Sequence, residues 1–240
     1  MDQDRFAIIA PDGAPIQVRL RINPRARRIL LRLDREAGGA IAISPNRQMV
    51  ERARSFAQSK ADWIAERLQK STRLATPFQP GAQIPVRGRW TMLTADDSLR
   101  VARLVNGQEA AIRAPTRDGL FAARVLRLLV AQARLDLTAR VQVHAELVGG
   151  PTPVLAVKDT KTRWGSCRQD GKMSFSWRLV LAPPSVLNYV AAHECAHLRH
   201  MNHSKSFWDL VRKLDPDMQR WRLWLKEHGA SLHRIGAKSP

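Results

Sequence analysis

Residues 183–204 read PPSVLNYVAAHECAHLRHMNHS, and the fold is read outward from them. Pro183 and Pro184 suit the first turn of a helix, where a missing N–H breaks no intrahelical bond. The pattern predicts a helix from about Ser185 to Met201, with Val186, Val190 and Ala191 on its earlier inner face. On that helix stands His193-Glu194-Cys195-Ala196-His197, an H-E-x-x-H pattern. Histidines four apart project from one face, so both imidazoles can reach a single zinc ion, and the glutamate between them can reach a water on it. Such an ion lowers the pKa of that water to roughly 7 and polarises the bond to be cleaved, while Glu194 takes the proton as general base.

A catalytic site needs a third ligand, and His200 and His203 compete for the role. His200 shares the helical face but must reach back two turns, roughly 10 Å from His193 along the axis. His203 faces the wrong way unless the chain breaks after about Met201 and folds back. Asn202 can take the left-handed conformation that ends helices, and Ser204 can cap the next one, so the spacing favours His203. Three histidines leave a position open for water, whereas structural zinc is usually closed by four protein ligands, often cysteines. Cys195 points away from the two helix histidines and reads as core, and Cys167 is set aside as a fourth ligand. Tyr189, Trp208, Trp221, Trp224 and Met218 read as packing, His144 as a core histidine, and His200, His228 and His233 as surface residues.

Upstream, Ile16, Val18, Leu20 and Ile22 alternate with polar residues as a strand, followed by Ile29 to Leu33, a Gly38-Gly39 turn, and Ile41 with Ile43. From about Arg47 the period lengthens, and Val50, Ala53, Ala57, Ala61, Ile64 and Leu68 predict one amphipathic helix. Ser71 to Gly81 breaks periodicity and reads as a linker. Short strands are expected near Ile84–Val86, Trp90–Leu93, Leu99–Val105 and Ala110–Arg113, with Asn106-Gly107 as a hairpin turn. A long helix follows, with Leu126, Val130, Ala133, Leu137, Val141, His144 and Val148 on its stripe and Gly149-Gly150 as its cap. Val154–Val157 and Met173–Leu179 read as strands, with Asp170-Gly171 turning a hairpin before the second. Helices are expected near Ser204–Leu214 and Pro216–His228, then a frayed basic tail from Ala230. The fold class is α+β. Its regions are a basic sheet plus helix over residues 1–75, a β-hairpin region over 76–115, the metal-helix core over 116–230 and a flexible tail over 231–240.

Forty Lys and Arg against 21 Asp and Glu give the 240-residue chain a net charge of +19. That balance points to a polyanion such as nucleic acid, a nucleotide or an acidic protein surface, although solvated arginines account for it equally well, while the H-E-x-x-H pattern points to a peptide or protein substrate. No stretch approaches the ~18 apolar residues of a membrane span, and MDQDRF lacks the pattern of a secretory signal, so no membrane partner and a cytoplasmic location are expected. Two cysteines are too few for a disulfide scaffold. The absence of a P-C-x-x-C ligand pair argues against a zinc nucleoside deaminase. Three function classes therefore stand: a zinc peptidase, a metal-dependent nucleotide phosphohydrolase, and a polyanion-binding module.

Arg163-Trp164-Gly165-Ser166-Cys167, the Trp177-Arg178-Leu179 run, Tyr189-Val190 ahead of His193-Glu194-Cys195-Ala196-His197-Leu198, and Asn202-His203-Ser204 before Phe207-Trp208 resemble the YgjP-like family, relatives of the SprT-like proteases. Arg27-Arg28-Ile29 and Trp63-Ile64 extend the likeness into the N-terminal half. The resemblance implies His193, His197 and His203 as ligands of one zinc ion and Glu194 as base. It also implies a gluzincin-like metallopeptidase core, with the metal helix backed by another helix and bordered by a small antiparallel sheet that carries the tryptophan-glycine-serine-cysteine segment. Ser176 departs from the asparagine expected in many relatives.

Overall fold

The computed structural model describes residues 5–34, 39–73, 76–150 and 152–236. They form two compact units, one from residues before Thr76 and one spanning Thr76–Gly236. Among the described residues the architecture is mixed α+β, with three small sheets and six α-helices.

In the first unit, β1 (Arg5–Ile9) and β2 (Pro15–Ile22) form an antiparallel hairpin, and β3 (Leu30–Asp34) and β4 (Gly39–Ser44) form a second. Parallel pairing of β2 with β4 joins them in the order β1-β2-β4-β3. The sequence marks three of these strands; β1 escapes it because Phe6-Ala7-Ile8-Ile9 does not alternate. Gly38 lies outside the described residues. Gly39 has no room for a side chain, since a Cβ would sit 2.1 Å from the Gln17 carbonyl oxygen.

The single helix expected from Arg47 is two, α1 (Val50–Gln58) and α2 (Ala61–Arg73). At the break the Ser59 hydroxyl donates to the Phe56 carbonyl and the Lys60 N–H to Ala57, closing α1 with a tighter turn. The apolar phase survives: Ala53, Ala57, Ala61 and Ile64 are buried with Ile8, Ile16, Val18 and Leu20 of the sheet. Small alanines at three of those positions let the helices lie close on it.

The linker expected over Ser71–Gly81 is shorter than its composition suggests. Helix α2 reaches Arg73, and from Thr76 the chain is paired: the Thr76 N–H donates to Arg234, and Phe78 is buried in the second unit's core. There, β5 (Gln83–Val86), β6 (Arg89–Ala95), β7 (Arg103–Val105) and β8 (Ala111–Ala114) form a sheet in the order β5-β6-β8-β7, with β6 and β8 parallel. The tight two-residue turn is Arg87-Gly88, both at positive φ, between β5 and β6. Asn106-Gly107 instead belongs to the wider loop of the β7–β8 hairpin.

Helix α3 (Phe121–Leu147) spans this unit, burying Phe121, Val125, Leu129, Ala133, Leu137, Val141 and His144. Its stripe therefore enters one residue earlier than expected, and Leu126 is partly exposed. Residues 76–115 and 116–230 share one core, because Ile84, Leu93 and Ile112 pack with the α3 residues.

A third sheet, β10-β11-β9, is mixed rather than purely antiparallel. Strand β9 (Leu155–Lys158) runs parallel to β11 (Met173–Ser176), and β10 (Gly165–Cys167) antiparallel to it. The strand expected through Leu179 stops at Ser176, whose hydroxyl accepts from the Arg178 N–H and starts a short 3-10 turn over Trp177–Leu181. Arg178 is buried there, ion-paired with Asp159 and stacked on Trp177.

Helix α4 (Pro184–Ala196) packs on α3 and the third sheet, followed by α5 (Lys205–Leu214) and α6 (Met218–Leu232). The tail expected to fray from Ala230 is ordered to Gly236: α6 continues to Leu232, and Ile235 is buried and bridged to Thr76. Residues 237–240 lie outside the described residues. Among the described residues no helix is long and apolar enough to cross a membrane.

Candidate metal centre

Helix α4 ends at Ala196, five residues before the break expected near Met201. The Leu198 and Arg199 N–H groups donate to Cys195 and Ala196, tightening the chain into 3-10 geometry after His197. Asn202 is not left-handed, so the reversal comes from this early exit. Ser204 does cap α5, accepting from the Phe207 N–H. The result returns His203 to the helix face that carries His193 and His197.

One ring nitrogen of each of these three histidines lies within 4.8 Å of the others, and the Nε2 atoms of His193 and His203 are 3.2 Å apart. Ligands roughly 2.0–2.1 Å from a tetrahedral ion stand about 3.3 Å from one another, which is the spacing of the His193–His203 pair, with the His197 ring grouped beside them. His197 Nδ1 lies 2.9 Å from the His200 carbonyl, which accepts its proton and leaves Nε2 with its lone pair. His200 thus serves the cluster through its backbone, and its ring is not part of it.

Phe207, fully buried on α5, forms the floor, its ring centroid 4.9, 4.6 and 4.7 Å from those of His193, His197 and His203. Trp208 stands 5.6 Å from His193 and from His203, and Tyr189 is 6.1 Å from His193. Packing holds the His193 ring, because its Nδ1 is buried without a hydrogen-bond partner. His203 is exposed, so the cluster opens at the surface.

Burial, followed by the neighbouring His197, His203 and Arg222, pushes His193 down to about 4. Burial also lowers His197, against the His200 carbonyl. Both imidazoles are therefore neutral at pH 7, the form that can donate a lone pair.

Glu194 is buried beside them and pressed against β10. Burial pushes its carboxyl up to about 7, opposed by a hydrogen bond from the Cys167 N–H and by the charge of Arg163. A Cβ on Gly165 would fall 2.6 Å from Glu194 Cγ and Oε1, so the glycine is what admits the carboxylate. Burial and then Glu194 raise the Cys167 thiol to about 11, which keeps it protonated and a poor ligand. Cys195 is buried in the core, as expected.

Residues 27–228 match the family described as YgjP-like, metallopeptidase domain. This chain is a YgjP-like protein. Comparison with curated proteins and with solved structures gives no match. Membership makes the protein a metal-dependent hydrolase of the metallopeptidase class, and the histidine triad supplies a place for the ion that class requires. In the YgjP-like chain the sequence pattern reached the histidines and Glu194, because side-chain chemistry is written in residue types. It did not reach the Cys167 N–H or the His200 carbonyl, which leave no mark in the sequence. Gly165 was visible only within a resembling segment, and the role of Phe207 needed the fold.

Proposed function

We propose that the protein is a zinc-dependent peptidase in which His193, His197 and His203 hold one zinc ion and Glu194 is the general base. The observation that carries this is the convergence of three imidazole nitrogens, two of them 3.2 Å apart, on the helix face beside a buried carboxylate. Imidazole donors suit zinc, and three protein ligands leave a position free for chemistry. A bound ion supplies a Lewis acid that polarises the scissile carbonyl and acidifies water.

The chain's own groups do the rest. The His200 carbonyl holds His197 in the tautomer whose Nε2 can ligate. The Cys167 N–H fixes the Glu194 carboxylate against Gly165, and burial places its proton affinity near neutrality, where a base can both accept and return a proton. Phe207, fully buried, keeps water from the inner side of the cluster. The core then follows a gluzincin-like plan: α4 carries one ligand and the base and is capped by the second ligand, α3 backs it, and the β10-β11-β9 sheet borders it.

The test is elemental analysis of tag-free wild type and Glu194→Gln, with both assayed on a peptide library and on nucleoside triphosphates. About one zinc in each, with peptide cleavage by wild type alone, is the expected result. Absence of stoichiometric metal from both proteins would overturn the assignment. Glu194-dependent phosphate release without peptide cleavage would instead favour the nucleotide phosphohydrolase, for which the net charge of +19 is the present support. Nucleic-acid binding by the basic surface is tested separately by its loss with added salt.

A further inference from the structure

Helix α6 brings a cation to the rim of the histidine cluster. The Arg222 guanidinium lies 5.1 Å from the Trp208 ring centroid, over its face. The same ring stands 5.6 Å from His193 and from His203. Arg222 is exposed and forms no ion pair among the described residues. By contrast Arg87, Arg124, Arg178 and Arg212 each hold a carboxylate.

A guanidinium stacked on an indole keeps its fork of donors free at the edge, and the stacking restricts the side chain before any ligand arrives. Such a group suits planar, bidentate recognition of a carboxylate. An extended substrate advances roughly 3.3–3.6 Å per residue, so the two steps from the histidines to Trp208 and on to Arg222 are covered within about three residues.

We propose that Arg222 sets substrate specificity by holding a carboxylate of the peptide within about three residues of the scissile bond. This rests on the peptidase reading above. The carboxylate has two sources, an aspartate or glutamate side chain and the terminus of the peptide, and each defines its own arm of the test.

The experiment starts from the peptide that wild type cuts fastest and builds matched pairs. Glu is compared with Gln at each of three positions on either side of the cleaved bond, and a free C-terminus with its amide. Wild type is expected to favour the carboxylate member at one position by roughly ten- to a hundredfold in kcat/KM, the yield of one charge-assisted contact. In Arg222→Gln that ratio falls to about one, and Arg222→Lys restores part of it. The ratio is independent of how much variant folds, since both peptides meet the same active molecules. Absence of any preference in wild type, or the same preference in Arg222→Gln, overturns the inference while leaving the peptidase standing. A wild type that cleaves no peptide removes both. A variant that loses only phosphate release from nucleoside triphosphates makes the recognised anion a phosphate and overturns the carboxylate.

Discussion

Gly165 and Glu194 meet with no space between them: a Cβ on the glycine would come within 2.6 Å of the carboxylate's Oε1. Strand β10 and helix α4 are thereby fitted to each other at the candidate base, and the Cys167 N–H two residues on can reach the same carboxylate. In Gly165→Ala, Glu194 must shift. A displacement of about 1 Å at a catalytic group can cost on the order of a hundredfold, so kcat/KM should fall by about that factor. Zinc content should stay at the wild-type level, because the three atoms nearest an added Cβ all belong to Glu194 and none to a histidine. Steady-state kinetics with parallel metal analysis checks both, and a variant with full activity would remove Glu194 from the role of base.

The two histidines that follow α4 should behave oppositely. His203→Ala deletes a ring whose Nε2 stands 3.2 Å from that of His193, whereas His200→Ala leaves the backbone carbonyl that His197 uses. Outer partners of ligating histidines alone are worth ten- to a hundredfold in metal affinity, so loss of a ligand should cost at least about a hundredfold. Zinc affinity in His200→Ala should remain close to wild type. Chelator competition measures the difference. With metal removed, His203→Ala should match wild type in stability to within about 0.5 kcal/mol, as an exposed substitution does. Equal affinities in the two variants would mean that the third ligand is misassigned.

How far the sequence reached depended on whether a feature lies in residue type or in backbone path. Period-two alternation located β2 and β4, and the H-E-x-x-H spacing placed His193, Glu194 and His197 on one helix. His203 was reachable only by assuming a chain reversal. The reversal occurs, but by 3-10 tightening after His197 rather than a left-handed Asn202, since both routes satisfy the same residues. Trp177 and Leu179 alternate as a strand would and are buried as one would be, yet the Ser176 cap turns them into a 3-10 segment. Ser176 and Arg178, the polar partners in that alternation, are buried as well, so here the pattern gave neither the backbone path nor an exposed face. The Arg87-Gly88 turn was passed over because arginine is not a residue that favours positive φ.

Tertiary contacts compensate for that unfavourable turn. Arg87 grips Asp136 of α3 through Nε and a terminal nitrogen, both at 2.8 Å, and reaches Gln132 at 2.8 Å, while its N–H donates to Val180. The Asp136 hydrogen bond raises the guanidinium pKa above its ordinary value. The pair is partly exposed, so after solvent screening Asp136→Asn should cost only about 1 kcal/mol. Arg87→Ala should cost more, since it also leaves Gln132 unpaired and removes the side-chain contacts that offset the positive φ, whose cost alanine bears equally. Urea unfolding of the three proteins ranks them. An Arg87→Ala variant as stable as wild type would mean that the tether contributes nothing.

His144 gives the fold a pH dependence independent of the histidine cluster. It is buried on α3, its Nε2 is 3.0 Å from Asn188 Oδ1, and Asn188 donates to Asp215 at 3.0 Å. Burial lowers its pKa below the ordinary 6.5, against the Asn188 hydrogen bond and the Asp215 charge, with Arg140 adding to the lowering. The unfolded chain therefore takes up the proton first as pH falls. The contribution of neutral His144 is complete above about pH 6.5 and is lost as pH drops from there through the folded value. His144→Gln retains an amide donor for Asn188 but cannot titrate. The stability difference between wild type and this variant should be constant above pH 6.5 and should move against wild type below it. Other groups titrate in the same window, but they are common to both proteins and cancel in the difference. Urea unfolding from pH 7.5 to about 5 measures it, and a difference that stays flat throughout would place the His144 proton affinity at its unfolded value and remove burial as the controlling term.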